Sequence, residues 1–311
     1  MLDIFSSILP VFLLVLLGVG LKRAPVISTS FWDGLDQFGY YVLFPSLLFQ
    51  TLSQADFSAI ASGRVMTVTI LSVLLTSALT LMLWPALRSK GISRSSFGTM
   101  FQTATRWNGF MALAIAEKID GARGLTVVAV IMAAIIIPIN ILNVAVLVWF
   151  GTGSRHPKQF LIKLVTNPII IGSALGVAVN LLHIPIYAPV MVALDLVARA
   201  ALGLGLLMVG AGLRVGDALR PSFSVLLPTV LKLLFFPALM VIVALAFGLR
   251  GEIVLMLALS GAVPTAMNGY VLAKQMGGDA PLYAATATIQ TLAAFFTIPL
   301  VLAVTAYATG G

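Results

Sequence analysis

The sequence predicts an all-α polytopic membrane protein of ten transmembrane helices, built as two inverted five-helix repeats with broken helices 4 and 9. Three observations predict this fold. Of the 311 residues, 60% are hydrophobic and 9% are charged, whereas soluble domains carry roughly 25% charged residues. Apolar runs of helical length follow one another along the chain, and matching polar motifs recur at nearly one spacing. The composition therefore excludes an ordinary soluble fold.

Long apolar runs account for the ten predicted segments. A helix needs about 20 apolar residues to cross a bilayer, and unpaired backbone groups in lipid enforce helical structure. Charge-free runs lie between Asp3 and Lys22, Asp36 and Asp56, Arg64 and Arg88, Arg123 and Arg155, Lys163 and Asp195, Lys232 and Arg250, and Glu252 and Lys274, and from Asp279 to the C-terminus. Two more runs, Phe97–Glu117 and Ala188–Leu213, carry internal charges.

The basic residues predict that both termini lie outside the membrane, because cytoplasmic loops are enriched in Lys and Arg. With this orientation the inner loops hold Lys22, Arg23, Arg88, Lys90, Arg94, Arg155, Lys158, Lys163, Arg214 and Arg220. The outer loops hold Arg64, Lys118, Arg123 and Arg250. The net charge of +8 is then explained by anionic membrane lipids as partners, without nucleic acid.

An internal repeat relates the two halves of the chain. Three motif pairs recur at a nearly constant offset, close to half the chain: Asn108-Gly109-Phe110 with Asn268-Gly269-Tyr270, Ile137-Pro138 with Ile298-Pro299, and Leu35-Asp36 with Leu194-Asp195. The repeats are predicted at residues 1–150 and 168–311, joined by a cytoplasmic loop at 151–167. Because five segments are an odd number, the second repeat must be inverted, as is typical of secondary transporters.

The polar motifs in segments four and nine predict two helix breaks and an anion site. Arg106 at mid-span is costly in lipid, so it is expected to face a cavity or a partner. Asn108-Gly109 continues a helix poorly, and Pro264 removes a backbone donor in segment nine. Broken helices present N-termini and free carbonyls to a small ligand, and Arg106 suits a carboxylate. The alternative is that these residues serve close helix packing.

Other polar residues have alternative interpretations. Asn140 and Gln290 lie near the repeated prolines of segments five and ten, and either line the cavity or bind neighbouring helices. Asp195 and Arg199, at positions i and i+4, predict an ion pair. Lys232 is expected to extend its ammonium group to the membrane interface. The chain has no Cys, and it shows no nucleophile, phosphate or zinc motif, so neither an enzyme nor a metal site is predicted.

These residues resemble the auxin efflux carrier family, especially its bacterial malonate-transporter-like branch. The resemblance rests on 106–110 (Arg-Trp-Asn-Gly-Phe) and 264–273 (Pro-Thr-Ala-Met-Asn-Gly-Tyr-Val-Leu-Ala), with similar stretches at 41–49 and at Asn167-Pro168. It covers essentially the whole chain. One departure is Trp107, which stands where plant members have Pro, and it predicts a milder break in segment four.

The resemblance implies how such a carrier would work. Segments one, two, six and seven would form a scaffold, through which a homodimer is possible, and the other six would form a transport domain that moves like an elevator. Segments four and nine would cross at their breaks, where Asn108 and Asn268 would contact the substrate, with Gly109, Pro264 and Gly269 beside them. Segment two would face this crossing through Ser46 and Gln50. A bacterial cytoplasmic membrane is the implied location.

The leading functional hypothesis is a secondary transporter of small organic anions, such as malonate, without a cofactor. A first alternative is a sodium-coupled symporter resembling the bile-acid transporters, in which Thr103, Thr105, Ser260 and Thr265 supply oxygen ligands to Na⁺. The coupling ion could instead be H⁺. A channel and a membrane-embedded enzyme are the remaining alternatives.

Overall fold

A computed structural model describes residues 2–25, 27–57, 62–151, 166–213, 222–267 and 269–309. Within these ranges all regular secondary structure is helical, which confirms the predicted class. The first half contains α1 (Leu2–Arg23), α2 (Thr29–Phe38), α3 (Phe44–Ser53), α4 (Ser62–Met82), α5 (Trp84–Ser89), α6 (Arg94–Thr105) and α7 (Gly109–Phe150). The second half contains α8 (Pro168–Leu181), α9 (Ala188–Gly212), α10 (Phe223–Val230), α11 (Phe236–Ala246), α12 (Glu252–Ala262), α13 (Gly269–Gln275) and α14 (Ala280–Thr309).

Among the described residues, five helical stretches are long and apolar enough to cross a membrane. They are Ser62–Ser89, Arg94–Phe150, Ala188–Gly212, Phe223–Ala246 and Ala280–Thr309. Shorter apolar helices, Pro168–Leu181 and Glu252–Ala262, accompany them. Lengths and composition thus agree with an integral membrane protein.

Helix α7 reverses direction near its first third. Asp120 and Gly121 have non-helical backbone angles, and Gly121 adopts a positive φ of 54°, which favours glycine. The Thr105 hydroxyl hydrogen-bonds the side chain of Asn143, which lies 38 residues further along the chain. A straight helix rises about 1.5 Å per residue and would hold these side chains far apart. The chain therefore turns back at Gly121, as expected between segments four and five.

Two helical runs widen into π-helical turns just before a proline. Gly39–Leu43 joins α2 to α3, and Leu231–Phe235 joins α10 to α11. Pro45 and Pro237 follow these turns within the first two positions of the next helix. Proline has no N–H and clashes with the preceding turn, and an extra residue in the turn accommodates this defect.

Most helix contacts fall within two groups, and α7 and α14 also contact helices of the first group. In one group α1 contacts α9, and α3 contacts both α8 and α9. In the other group α4, α6, α7, α10, α11, α12 and α14 contact one another. Helices α1 and α9 approach closely, because a Cβ on Gly210 would overlap the Val15 carbonyl and one on Gly18 the Leu207 carbonyl.

Candidate functional site

The first helix break lies between α6 and α7. Helix α6 ends at Thr105 because the backbone of Arg106 is extended, with φ −67° and ψ 156°. The next helix begins at Gly109, and the Asn108 side chain caps it by accepting a hydrogen bond from the Met111 N–H at 3.3 Å. The Asn-Gly motif therefore starts a new helix, as its composition predicts.

The second break lies between α12 and α13 and is longer. Helix α12 ends at Ala262, where the extended backbone of Val263 follows, and α13 begins at Gly269. The helices thus resume at the glycines of the two Asn-Gly motifs, Gly109 and Gly269, but the preceding helix ends earlier in the second half. The shorter first break agrees with the milder interruption expected from Trp107. The predicted site residue Asn268 lies outside the described residues.

The two breaks contact each other directly. The backbone N–H of Asn108 donates to the Pro264 carbonyl at 2.8 Å. The side chain of Gln102, in the last turns of α6, donates to the Gly269 carbonyl at 3.4 Å. Each interrupted helix leaves some backbone groups unpaired, and the other interrupted helix therefore supplies hydrogen-bond partners for part of them. Bilayer hydrocarbon could not supply such partners.

Gln290 of α14 braces both breaks at once. Its Oε1 accepts from the Thr265 N–H at 2.9 Å, and its Nε2 donates to the carbonyls of Thr103 at 3.0 Å and Pro228 at 3.3 Å. The side chain is completely buried. It does not line the cavity at the crossing, so the structure places Gln290 as a structural tie between α6, α10 and the second break.

Tyr283, also on α14, supports the second break from the other side. Its hydroxyl donates to the Ala266 carbonyl at 2.6 Å and lies 3.0 Å from the Thr265 hydroxyl. A Cβ on Gly269 would overlap this hydroxyl. Glycine is therefore required at the start of α13 for close packing against the tyrosine.

A cavity of about 230 Å³ lies at the crossing, and we call it the crossing cavity. Four predicted site residues line it: Arg106, Asn108, Gly109 and Asn140. The remaining lining residues are Tyr40, Trp107, Phe110, Met132, Ile136, Ile139, Asn167, Ile169, Ala266 and Leu272. Polar groups thus converge on an otherwise apolar wall, an arrangement common in small-molecule sites.

Arg106 supplies the positive charge of the crossing cavity. Its side chain is partly buried, and Nη1 donates to Asn140 Oδ1 at 3.5 Å. It also interacts with the Tyr283 hydroxyl. Asn140 Nδ2 donates in turn to the Ile136 carbonyl at 2.7 Å, which fixes the orientation of the amide. The guanidinium is therefore held at the cavity wall by neutral partners, and a carboxylate could still gain from its charge.

A larger cavity of about 590 Å³ lies between α3, α9 and the turn of α7, and we call it the second cavity. Gln50 lines this second cavity, and its Nε2 donates to Asp195 at 3.5 Å. Asp195 also accepts from Arg199 Nε at 2.8 Å, which confirms the predicted ion pair. Ser46 lines neither cavity. From the helical run of α3 and the π-helical turn before it, Tyr40 lines the crossing cavity instead.

An aromatic stack lies at the wall of the crossing cavity, which Phe110 lines. Along this helical run Tyr40 lines the crossing cavity and Leu47 the second cavity, with Phe44 between them in sequence. The Phe44 ring stacks on Phe110 with centroids 3.5 Å apart and planes at 26°. Phe44 is completely buried.

The four residues predicted to bind Na⁺ do not share one geometry. The hydroxyls of Thr103 and Thr105 donate to carbonyls of their own helix, and Thr265 contacts Tyr283. The Ser260 hydroxyl is buried and has no hydrogen-bond partner. Thr103 and Thr105 precede the first break, Ser260 precedes the second, and Thr265 lies within the second break.

Lys232 does not extend to the membrane interface, and that expectation was wrong. The side chain is completely buried. Its Nζ donates to the Gly261 carbonyl at 2.7 Å and lies 4.5 Å from the centroid of the Phe236 ring. The charge-free run that begins at Lys232 suggested a helix end, whereas the helical run in fact starts earlier, at Phe223.

Comparison with known proteins finds a similar family. Residues 155–302 match the family model described as membrane transport protein. This stretch includes the whole second break with Pro264, together with the bracing side chains Tyr283 and Gln290. A search of curated proteins finds no match. Residues 155–302 are thus similar to the membrane transport protein family, the family of the auxin efflux carriers that the motifs resemble, and this match indicates a membrane transporter.

Proposed function

We propose that this protein is a secondary transporter of small organic anions, with malonate-like carboxylates as the substrate class and the crossing cavity as the substrate site. The observation that carries the proposal is the position of Arg106. Its guanidinium lines the cavity at the point where the break of α6–α7 is hydrogen-bonded to the break of α12–α13. An anion there would meet a cation, the Asn140 amide and the N-terminus of α7.

The size of the crossing cavity favours a small solute. Drug-sized ligands occupy pockets of roughly 300–1,000 Å³, whereas this cavity measures about 230 Å³. Its apolar wall, with Phe110, Met132 and Ile139, suits a short carbon chain. The combination of one cationic group with this wall supports a compact carboxylate over a large amphipathic molecule.

The two helix groups support a movement of the elevator type. The crossing cavity lies between them, because Tyr40 and Asn167 come from one group and Arg106 and Asn140 from the other. In the proposed cycle α1, α2, α3, α8 and α9 form the scaffold, and the remaining helices carry the substrate. The Phe44–Phe110 stack would close the route between the crossing cavity and the second cavity in this conformation.

The packing pattern also supports two inverted repeats of five spans each. Helix α1 packs on α9, and α8 packs on α3. The first span of each half therefore contacts the second span of the other half. Likewise α6 contacts both α7 and α14, and α12 contacts both α14 and α7. This exchange of equivalent partners is what a pseudo-twofold arrangement requires.

Counterflow in proteoliposomes tests the proposal. Vesicles loaded with unlabelled malonate should take up radiolabelled malonate when they contain the wild-type protein. Arg106→Gln should reduce the uptake rate at least tenfold, because it removes the cation, and Asn268→Ala should reduce it as well. Arg123→Gln is the matched control, since Arg123 is exposed at the turn after Gly121.

Two results would refute the assignment of the site. One is equal uptake by Arg106→Gln and Arg123→Gln. The other is a wild-type protein that exchanges none of a panel of mono- and dicarboxylates. Currents far above carrier turnover in a planar bilayer would instead indicate a channel.

A further inference from the structure

Lys232 is a cation in the interior of the helix bundle, remote from both ends of its helical run. It lies on the π-helical turn between α10 and α11 and is completely buried. A lysine at such a depth is expensive unless it is paired, so it is expected to serve function rather than stability.

The Gly261 carbonyl is available to the Lys232 ammonium because α12 ends at Ala262. In a continuous helix the Gly261 carbonyl would accept from the N–H of Thr265. Here that N–H donates to Gln290 instead, and the freed carbonyl accepts from Lys232 Nζ at 2.7 Å. The ammonium therefore sits at the C-terminal end of α12, which carries the partial negative charge of the helix dipole.

No carboxylate balances this ammonium among the described residues. The π-helical turn packs against α6, α10, α11, α12 and α14. The titratable side chains of those helices are Arg94, Glu252, Tyr283 and Tyr307. The first two are exposed at the starts of their helices, Tyr307 is exposed near the C-terminus, and Tyr283 bonds the Ala266 carbonyl.

Unpartnered hydroxyls accompany the lysine. The buried Ser260 hydroxyl, on the residue next to Gly261, has no hydrogen-bond partner. Helix α4 packs on α11 and α12, and it carries the buried, unpartnered hydroxyls of Ser72, Thr76 and Ser77. An ammonium can donate three hydrogen bonds, whereas one protein acceptor is observed for Lys232. The ammonium therefore has capacity for further hydrogen bonds.

We propose that the Lys232 amine binds and releases a proton during the transport cycle, and that this proton is the coupling ion of the carrier. The proposal rests on the proposed function, since it names the ion that moves with the anion. Lys232 belongs to the helix group that carries the substrate, so its proton moves with the site. One proton taken up with a malonate dianion offsets one of its two negative charges.

The chain connects Lys232 to the substrate site in two short steps. Gly261 precedes Pro264 by one helical turn, and the Pro264 carbonyl accepts from the backbone of Asn108. Pro228, one helical turn before Lys232, accepts from Gln290, which also holds the second break. Protonation at Lys232 and anion binding beside Arg106 should therefore favour each other, with equal effects in both directions. A Na⁺ ion near Gly261 would be repelled by the ammonium.

Proton movement can be measured with pyranine, a pH-sensitive dye, inside proteoliposomes. Without Na⁺, the wild-type protein should accumulate radiolabelled malonate when the outside is more acidic, and the dye should record proton entry with it. Lys232→Met should lose the pH-driven accumulation at least tenfold while it retains malonate exchange at equal pH. Lys90→Met is the matched control, because Lys90 is exposed at the end of α5. Lys232→Arg, which stays charged at any accessible pH, should lose accumulation like the Met variant.

Accumulation that persists in Lys232→Met or Lys232→Arg would overturn the proposal, as would wild-type accumulation that requires Na⁺. A separate measurement needs no substrate: the difference in melting temperature between the wild type and Lys232→Met, from about pH 5 to about pH 9. A difference that changes with pH supports a proton site at Lys232, and a constant difference refutes one. If the wild type exchanges no malonate at equal pH, the proposed function fails, and the melting series still decides the role of Lys232.

Discussion

Substitution of Gln290 should destabilise the crossing more than substitutions in these helices usually do. Gln290→Met conserves an unbranched side chain of similar length but removes the donor and the acceptor. It leaves three buried groups without this partner: the Thr265 N–H and the carbonyls of Thr103 and Pro228. The Pro228 carbonyl still accepts from the Leu231 N–H, so two groups are left unsatisfied. Each unsatisfied buried group costs about 1–3 kcal/mol, and the loss therefore has a ceiling of about 2–6 kcal/mol. Typical substitutions cost about 0.5–3 kcal/mol.

The assay measures the free energy of unfolding of purified Gln290→Met by reversible unfolding. Gln54→Met is the control, because Gln54 is an exposed glutamine on the neighbouring helix group. Gln290→Glu refines the test, because burial keeps the carboxylic acid neutral, so that it still accepts from Thr265 but donates to only one of the two carbonyls. It should be intermediate in stability. If Gln290→Met unfolds with a free energy within about 0.5 kcal/mol of the Gln54→Met value, the bracing role is refuted.

Three further predictions concern packing and polar contacts. Gly210→Ala should lower stability by about 1–3 kcal/mol through overpacking against α1, whereas Gly203→Ala, with open space around it, should not; thermal melting of both variants decides. Tyr283→Phe should cost about 0.5–1.5 kcal/mol, because the Ala266 carbonyl loses the tyrosine hydroxyl and keeps the Gly269 N–H as a donor, and equal melting of variant and wild type would contradict this. Arg199→Gln should change stability by less than about 1 kcal/mol, since the pair with Asp195 is largely exposed; a larger shift in melting would show that this pair is structural.

The sequence predicts the features that depend on neighbouring residues. Asn108-Gly109 marks a helix start because both residues favour caps over helix interiors, and the structure begins α7 there. Asp195 and Arg199 are one turn apart on a helix, so their ion pair follows from spacing alone. Pro264 removes one donor from its helix, and α12 ends just before it, at Ala262.

The features that the sequence does not predict depend on distant contacts. Lys232 meets the Gly261 carbonyl across 29 residues, and nothing local distinguishes it from a lysine at a helix end. The sequence leaves open whether Gln290 lines the cavity or binds neighbouring helices, and its amide matches three backbone groups on other elements. Gln50 faces the second cavity because the rotation of α3 is set by its packing on α8 and α9. Tyr40 reaches the crossing cavity for the same reason.

The central claim is that Arg106 binds the carboxylate of the substrate in the crossing cavity. Equilibrium binding of radiolabelled malonate to purified protein tests it most directly, with Arg106→Gln compared with Arg123→Gln. A hydrogen bond to a charged group contributes about 1.5–3 kcal/mol, so the dissociation constant should rise by about 10- to 100-fold in Arg106→Gln. Arg123→Gln should bind like the wild type. Equal affinity of the wild type and Arg106→Gln for malonate would contradict the claim.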